Sequence, residues 1–238
     1  MMNKGVTLIE TVLSAALLLF VSLIGLECFI SARRLFVNLK ASQEGDLAAA
    51  AALESLRRDA SRAGEGLSLP IELGLCDGAE LRPDGFAVRY AAEVKRLAAD
   101  IVPGQTKIFL ESTEGLGPGR DICLCADDRA EINSVRSAGD GWIVIEPGAG
   151  NSYGRLEGFC IAIDVVTNRF DRTSRILRRR INNGSAQPLI EDADMFEAEW
   201  DPAAPLFRFR LRLNMKKGKT HETSVVPKSL ALLPGTPG

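Results

Sequence analysis

Lys4-Gly5-Val6-Thr7-Leu8-Ile9-Glu10 begins an apolar run that continues to Leu26. Val6 to Leu26 is long enough to cross a bilayer, at about 20 residues per helical span. One carboxylate, Glu10, falls inside the first turns of that run. On translocon scales an ionised carboxylate within a membrane helix costs about 2.5–3.5 kcal/mol, so its presence asks for a reason. A cleaved secretory signal has an apolar stretch of about 7–15 residues with small residues after it. Here the run is longer and the glycine stands before it. An ordinary signal anchor carrying one acid is the plainer alternative.

The helix that starts at Val6 is predicted to continue to about Ala63. No proline interrupts it, and Gly25 and Gly45 are tolerable singly. Roughly 58 residues at 1.5 Å each make a rod of about 87 Å. Its first third is apolar all round, as a membrane or fibre-core helix must be. Further on, Leu35, Leu39, Ala49, Leu53, Leu56, Ala60 and Ala63 fall near one stripe, with Arg57, Arg58 and Arg62 away from it or at its rim. Gly64 and Gly66 supply a helix stop.

After Gly66 the apolar period changes from 3.6 to 2. Leu67 to Asp84 reads as a loop containing Cys76. Phe86–Tyr90 and Lys107–Leu110 read as short strands, and Gly115–Gly119 as a glycine-rich turn without the Gly-Lys-Ser/Thr of a phosphate loop. Asp121–Cys125 and Glu131–Val135 form a predicted hairpin around Asp127-Asp128. Trp142–Ile145, Phe159–Val166 and Arg175–Ile181 come next as strands, the last two paired. Asn182-Asn183-Gly184 is a turn signal. Met195–Trp200 and Leu206–Met215 make the clearest hairpin: Phe207, Phe209, Leu211, Leu213 and Met215 share one face, and Arg208, Arg210 and Arg212 the other. Putting both apolar sets on the core side sets Glu199 opposite Arg208 and Glu197 opposite Arg210. A long helix followed by runs of antiparallel strands is an α+β layout.

The N-terminal motif resembles that of type IV prepilins and of the pseudopilins of type II secretion. Gly5 matches the last residue of their leader, Val6 the first mature residue (Phe is usual there) and Glu10 the fifth. Further resemblance, to PilW-type minor pilins, is carried by Leu56-Arg57-Arg58-Asp59-Ala60-Ser61-Arg62-Ala63-Gly64, Gly119-Arg120-Asp121-Ile122, Leu177-Arg178-Arg179 and Pro188-Leu189-Ile190-Glu191-Asp192. The J-type minor pseudopilin shares that layout. The resemblance implies a pilin fold, the amphipathic half of the helix lying on the subunit's own sheet. A coiled coil with a partner is the other reading of the stripe, which is short and Ala-rich for it. The divisions are then a leader (1–5), a transmembrane or fibre-core helix (6–26), an amphipathic helix (27–64), a periplasmic β-rich domain (67–233) and a tail (234–238).

The resemblance also implies a role without turnover and without a cofactor. A prepilin peptidase would cleave after Gly5 and methylate the amine of Val6. The subunit would wait in the inner membrane, then join other minor pilins or pseudopilins and the major pilin in a fibre. Glu10 would pair there with a neighbour's N-terminal ammonium, offsetting its burial and setting axial register. The extreme tip pseudopilin typically lacks this acid, so Glu10 argues for a place beneath or beside the tip. Basic residues alone would put the N-terminus outside, since Lys4 precedes the run while Arg33, Arg34 and Lys40 follow it. The cytoplasmic N-terminus and periplasmic domain come from the resemblance.

Composition bounds the alternatives. The chain has 238 residues, a formal charge of −2, five cysteines and one histidine. Neither a basic excess nor an acidic tail is present, and nucleic acid is not an expected partner. Zinc has no Cys-x-x-Cys to bind and only His221 beside it. Cys123 and Cys125 share a strand face, so a bond between them would be strained. One bond between neighbouring strands, Cys123 or Cys125 with Cys160, is one reading; buried thiols is the other. Asp127-Asp128 as a catalytic pair is weaker than a solvated hairpin tip. Glu191, Asp192, Asp194, Glu197, Glu199 and Asp201 suit calcium chemically but match no EF-hand spacing. A tip module gripping DNA or a surface would use Arg178, Arg179, Arg180, Arg208, Arg210 and Arg212. No aromatic interleaves with them on one face, and neutralisation by Glu197 and Glu199 competes.

Overall fold

The computed structural model describes residues 8–201, 204, 206–214 and 219–229. The leader, Gly5, Val6, Met215 and the 234–238 tail lie outside the described residues. The chain divides into two compact units, Met1–Leu47 and Ala48–Gly238, and α1 (Leu8–Ser61) contributes to both.

In the first unit α1 shows large apolar side chains on every side: Leu13, Leu18, Phe20, Val21, Leu23 and Phe29 are all exposed. Its most apolar 18-residue window has a mean hydropathy of 2.3. Among the described residues it is the one helix long and apolar enough to cross a membrane. A soluble monomer rarely shows a continuous apolar surface of this kind, and the helix could span a membrane. Ser22 satisfies its hydroxyl inside the helix by donating to the Leu18 carbonyl at 2.7 Å. Leu35 and Leu39 are 61% and 55% exposed, which corrects the expectation that they extend the buried stripe.

In the second unit the end of α1 buries Ala49, Ala52, Leu53, Leu56 and Ala60 on one side, and Ala63 follows just beyond it. The alanines let the backbone come close to what they cover, and Leu53 and Leu56 fill the space between. After Ser61 the chain turns through Gly64 and Gly66, both at φ +72°, a conformation that favours glycine. Gly64 N–H donates to the Arg89 carbonyl and Ala91 N–H to the Glu65 carbonyl, so the helix exit lies along a strand.

The strands are β1 (Ala79–Arg82), β2 (Gly85–Arg96), β3 (Lys107–Phe109), β4 (Asp121–Ala126), β5 (Arg129–Gly139), β6 (Trp142–Glu146), β7 (Phe159–Asp171), β8 (Ile176–Ile181), β9 (Gln187–Ile190), β10 (Ala193–Asp201), β11 (Leu206–Leu213) and β12 (Thr220–Val225). A short α2 (Ser68–Glu72) precedes β1. Every pairing is antiparallel. The larger sheet runs β1-β2-β7-β4-β5-β6-β3, with β8 on β7 and β9 on β8; the smaller is β10-β11-β12. The α+β expectation holds: a long helix, then an antiparallel β domain.

β7 is the hub. Its first residues pair with β4, its later ones with β8, and β2 lines its other edge throughout. One core joins the end of α1 to Phe86, Val88 and Tyr90 of β2, Val166 and Phe170 of β7, and Phe207, Phe209 and Leu211 of β11. Phe86 and Phe209 meet with ring centroids 4.8 Å apart, so the two sheets share that core. A second core collects Ile108, Ile122, Leu124, Ile143, Ile145, Tyr153 and Cys160. The third holds Leu67, Cys123, Cys125, Ile161 and Ile163.

Several elements differ from expectation. Leu67–Asp84 is not a plain loop but holds α2 and β1. β2 continues past Tyr90 to Arg96 through a register shift between Ala91 and Glu93. β5 continues past Val135 through another before Ser137. β9 and β12 were not anticipated; β12 alternates only between exposed and half-buried, and so carries no strong apolar period. Gly85 is needed where β2 meets β7: a Cβ there would stand 1.9 Å from the Asn168 carbonyl oxygen. Gly85→Ala is expected to cost roughly 1–3 kcal/mol by forcing the two strands apart. The check is the shift in denaturant midpoint; an unchanged midpoint would refute this close approach.

Candidate functional site

Glu10 sits in the first turn of α1, where the partial positive charge of a helix N-terminus favours a carboxylate. Ile9 and Leu13 beside it are 78% and 60% exposed, so the acid is set within an apolar helical surface. Gly5 and Val6, the expected cleavage and methylation residues, lie outside the described residues.

The other end of the helix carries a second carboxylate with a different role. Asp59 is 4% exposed, on the stripe that α1 buries. Arg179 of β8 reaches it as a fork, Nε to Oδ2 and Nη2 to Oδ1, both at 2.7 Å. Asn168 of β7 donates its amide to Oδ2 at 3.2 Å. The hydrogen bond to Asp59 pushes the Arg179 guanidinium above its ordinary pKa, against desolvation that acts the other way. Paired planar groups of this sort fix orientation as well as proximity. Arg62 stacks over Tyr90 with its guanidinium carbon 3.6 Å from the ring centroid. Lys228 ties a distant segment to the same helix end through Glu65 at 2.9 Å and the Ser61 carbonyl. The signal for Asp59 was an acid three residues after Leu56 and four before Ala63; nothing in the sequence pairs it with Arg179, 120 positions away.

The Asn182-Asn183-Gly184 turn does more than reverse the chain. Asn182 takes φ +49° and accepts from Val165 N–H at 2.8 Å. Asn182 and Arg120 both donate to Asp164 Oδ1 at 2.7 Å, while Asn183 donates to the Gly119 carbonyl at 2.7 Å. The Gly115–Gly119 turn is thereby held to β7, with Gly115 and Gly119 at φ +74° and +76°.

No two of the five cysteines are bonded to each other in this structure. Cys123 and Cys125 share a face, with sulfurs 3.1 Å apart. Cys160 stands directly opposite Leu124, not opposite either cysteine. Cross-strand partners share a face and neighbours along a strand alternate, so Cys160 points into the second core and the pair into the third. The expected bond from Cys123 or Cys125 to Cys160 is therefore corrected: the sheet itself separates them. Burial pushes the Cys160 thiol up to about 12.

The hairpin register is as expected, Glu199 opposite Arg208 and Glu197 opposite Arg210, with Phe207, Phe209, Leu211 and Leu213 buried. The ion pairs differ in detail. Arg210 reaches both Glu197 (3.5 Å) and Glu199 (3.4 Å), while Arg208 turns to Asp201 (3.8 Å) and Glu222 (3.4 Å). Glu222 lies on the unanticipated β12, which explains the change of partner. Arg212 pairs with Asp194 at 2.8 Å. Arg208, Arg210 and Arg212, considered for nucleic acid, thus face Asp194, Glu197, Glu199 and Asp201, considered for calcium, while Arg179 is held by Asp59. Among the described residues no group of three or more His, Cys, Asp or Glu is arranged to hold a metal ion. Asp127 and Asp128 form the exposed tip between β4 and β5, with Asp128 on Arg129 at 3.0 Å.

No protein-family model matches the chain, and no curated protein does. Two solved structures show partial likeness. One is the Gp54 tailspike of Acinetobacter baumannii bacteriophage AP22 in complex with A. baumannii capsular saccharide: 15% identity over 32% of this chain and 15% of that chain, TM-score 0.29. The other is the Pseudomonas phage phi297 tailspike gp61: 16% identity over 31% of this chain and 14% of that chain, TM-score 0.27. At those TM-scores the likeness carries no argument about fold or function.

Proposed function

We propose that this protein is a minor pilin, a structural subunit that primes assembly at or near the tip of a type IV pilus. The supporting observation is a single helix, Leu8–Ser61, with an acid in the first turn of an exposed apolar surface and a last part buried in an antiparallel β domain. One end suits a membrane and then a fibre core; the other is tied into a soluble domain. No bond-making is asked of it. Its partners are a prepilin peptidase, other minor pilins and the major pilin. The subunit is held single-pass in the inner membrane, N-terminus cytoplasmic and β domain periplasmic, until it is recruited.

The paired Arg208, Arg210 and Arg212 favour this scaffold reading over a nucleic-acid grip, because their charge is spent on Glu197, Glu199, Glu222 and Asp194. Intact mass spectrometry of protein extracted from membranes tests the proposal. The expected species starts at an N-methylated Val6. A chain keeping Met1, in cells with an active prepilin peptidase, would sink the family reading. Scoring surface pili, twitching and secreted proteins in a deletion strain then separates a pilus from a secretion pseudopilus: loss of secretion with pili intact assigns the latter.

A further inference from the structure

We propose that Cys76 and Cys123 form a disulfide that staples the segment following α2 to β4. Cys76 packs against the core that contains Cys123, Cys125, Ile161 and Ile163. A cleft of about 330 Å³ opens beside it, whose lining includes Cys76 and Asp77 together with Asp121, Ile132 and Ile163. Those last residues locate the nearer thiol. Ile132 is the direct cross-strand partner of Cys123, and Asp121 precedes Cys123 by two residues on the same strand face. Neither Cys123 nor Cys125 lines the cleft itself; Cys125 lies two residues further along the strand, opposite Ala130, which is also outside the lining, whereas Ile132 opposite Cys123 is part of it.

A bond between Cys123 and Cys125 is disfavoured by backbone geometry, although their sulfurs lie 3.1 Å apart. Two residues apart on an extended strand, Cys123 and Cys125 have Cα atoms about 6.6–6.8 Å apart, at the far limit for a disulfide. β5 and β7 clamp β4 from both edges, so that strand cannot shorten to suit. Cys160 is on the opposite face of the sheet. Cys76 follows Gly74, at φ +67° with nothing within 4 Å of an added Cβ, while Gly78 packs against Gly64 and its carbonyl accepts from Arg89 N–H, so any adjustment of Cys76 comes from the Gly74 side.

The step removes one hydrogen from each thiol and joins the two sulfurs. The two electrons and two protons pass to a disulfide oxidant, such as glutathione disulfide or a thiol–disulfide oxidoreductase, which becomes two thiols. Burial raises the Cys76 thiol to about 11, and a hydrogen bond with Cys125 together with burial raises Cys123 further. Few thiolates are present in the folded chain, so the bond forms while the chain is still folding and then persists as a structural link. In the cell the oxidant depends on the export proposed above; the chemistry itself depends only on this fold.

The test is therefore made on purified full-length chain in detergent, so a negative result bears on the bond and leaves the pilin reading as it was. Reduced protein is opened in denaturant, returned to native conditions in a glutathione redox buffer, quenched, alkylated and digested with trypsin without reduction. The expected product joins peptide 63–89 to peptide 121–129, with fragment ions placing the bond on Cys123. Cys28 and Cys160 are alkylated once the chain is denatured. Cys125→Ala keeps the cross-link and Cys123→Ala loses it. A bond within peptide 121–129, a bond from Cys76 to Cys125, or Cys76 recovered alkylated would each overturn the proposal.

Discussion

Cells carrying Glu10→Val are expected to accumulate the cleaved subunit in the inner membrane and to shed fibres that lack it. In the bilayer the substitution removes a charge whose burial costs about 2.5–3.5 kcal/mol, so insertion becomes easier. In an assembly the same substitution leaves a neighbour's buried ammonium without its partner, a loss of about 3–5 kcal/mol. The two effects have opposite signs, and the second acts only in the fibre or priming complex. Folding of the β domain is expected to be unchanged, because Glu10 belongs to the other unit of the chain and none of the three cores contains it. Fractionation of cells, with sheared fibres probed beside membranes, reads the outcome. Wild-type incorporation of Glu10→Val would show that this carboxylate is not the docking group.

Asp59→Ala is expected to damage the β domain more than Gly85→Ala does. It leaves Arg179 without its forked partner and strips Asn168 of an acceptor, with Asn168 fully buried and Arg179 mostly so. Removing one member of a buried pair costs about 3–5 kcal/mol; Arg179 keeps 28% of its side chain in contact with solvent, which places the expectation near about 3 kcal/mol. A well-packed apolar replacement of both partners should cost much less, so Asp59→Leu with Arg179→Met is expected to recover most of the loss. Denaturant unfolding of wild type, single and double mutant, monitored by tryptophan fluorescence, supplies the comparison. A single mutant within about 0.5 kcal/mol of wild type would mean that the apolar stripe alone holds the helix end. Equal losses in the single and double mutants would mean that side-chain shape, not charge pairing, decides.

These two carboxylates show how differently the chain could be read at its two ends. Glu10 stands out in sequence because an acid inside an uninterrupted apolar run violates a strong rule. Asp59 is equally out of place on an apolar stripe, but the arginine that explains it is 120 positions away. The hairpin of β10 and β11 was legible to the residue pair, because strict alternation leaves one register that buries every phenylalanine. Its actual ion pairs were not, since a third strand with weak alternation supplies Glu222. The cysteines were illegible for the same reason. Parity along β4 follows from sequence, yet whether Cys160 falls opposite position 123, 124 or 125 depends on how β7 slides against β4.

Local periodicity and composition by themselves determined the long helix, its apolar beginning, its glycine stop and the antiparallel character of the strands beyond it. Those features depend on neighbours three, four or two residues away, which a single chain displays. Only the tertiary structure decided the strand order around β7, the register of long-range pairs, the partner of Asp59 and the face on which each cysteine lies. Each of these depends on contacts between segments far apart in the chain, whose free energy is shared among many side chains and is written in no local pattern.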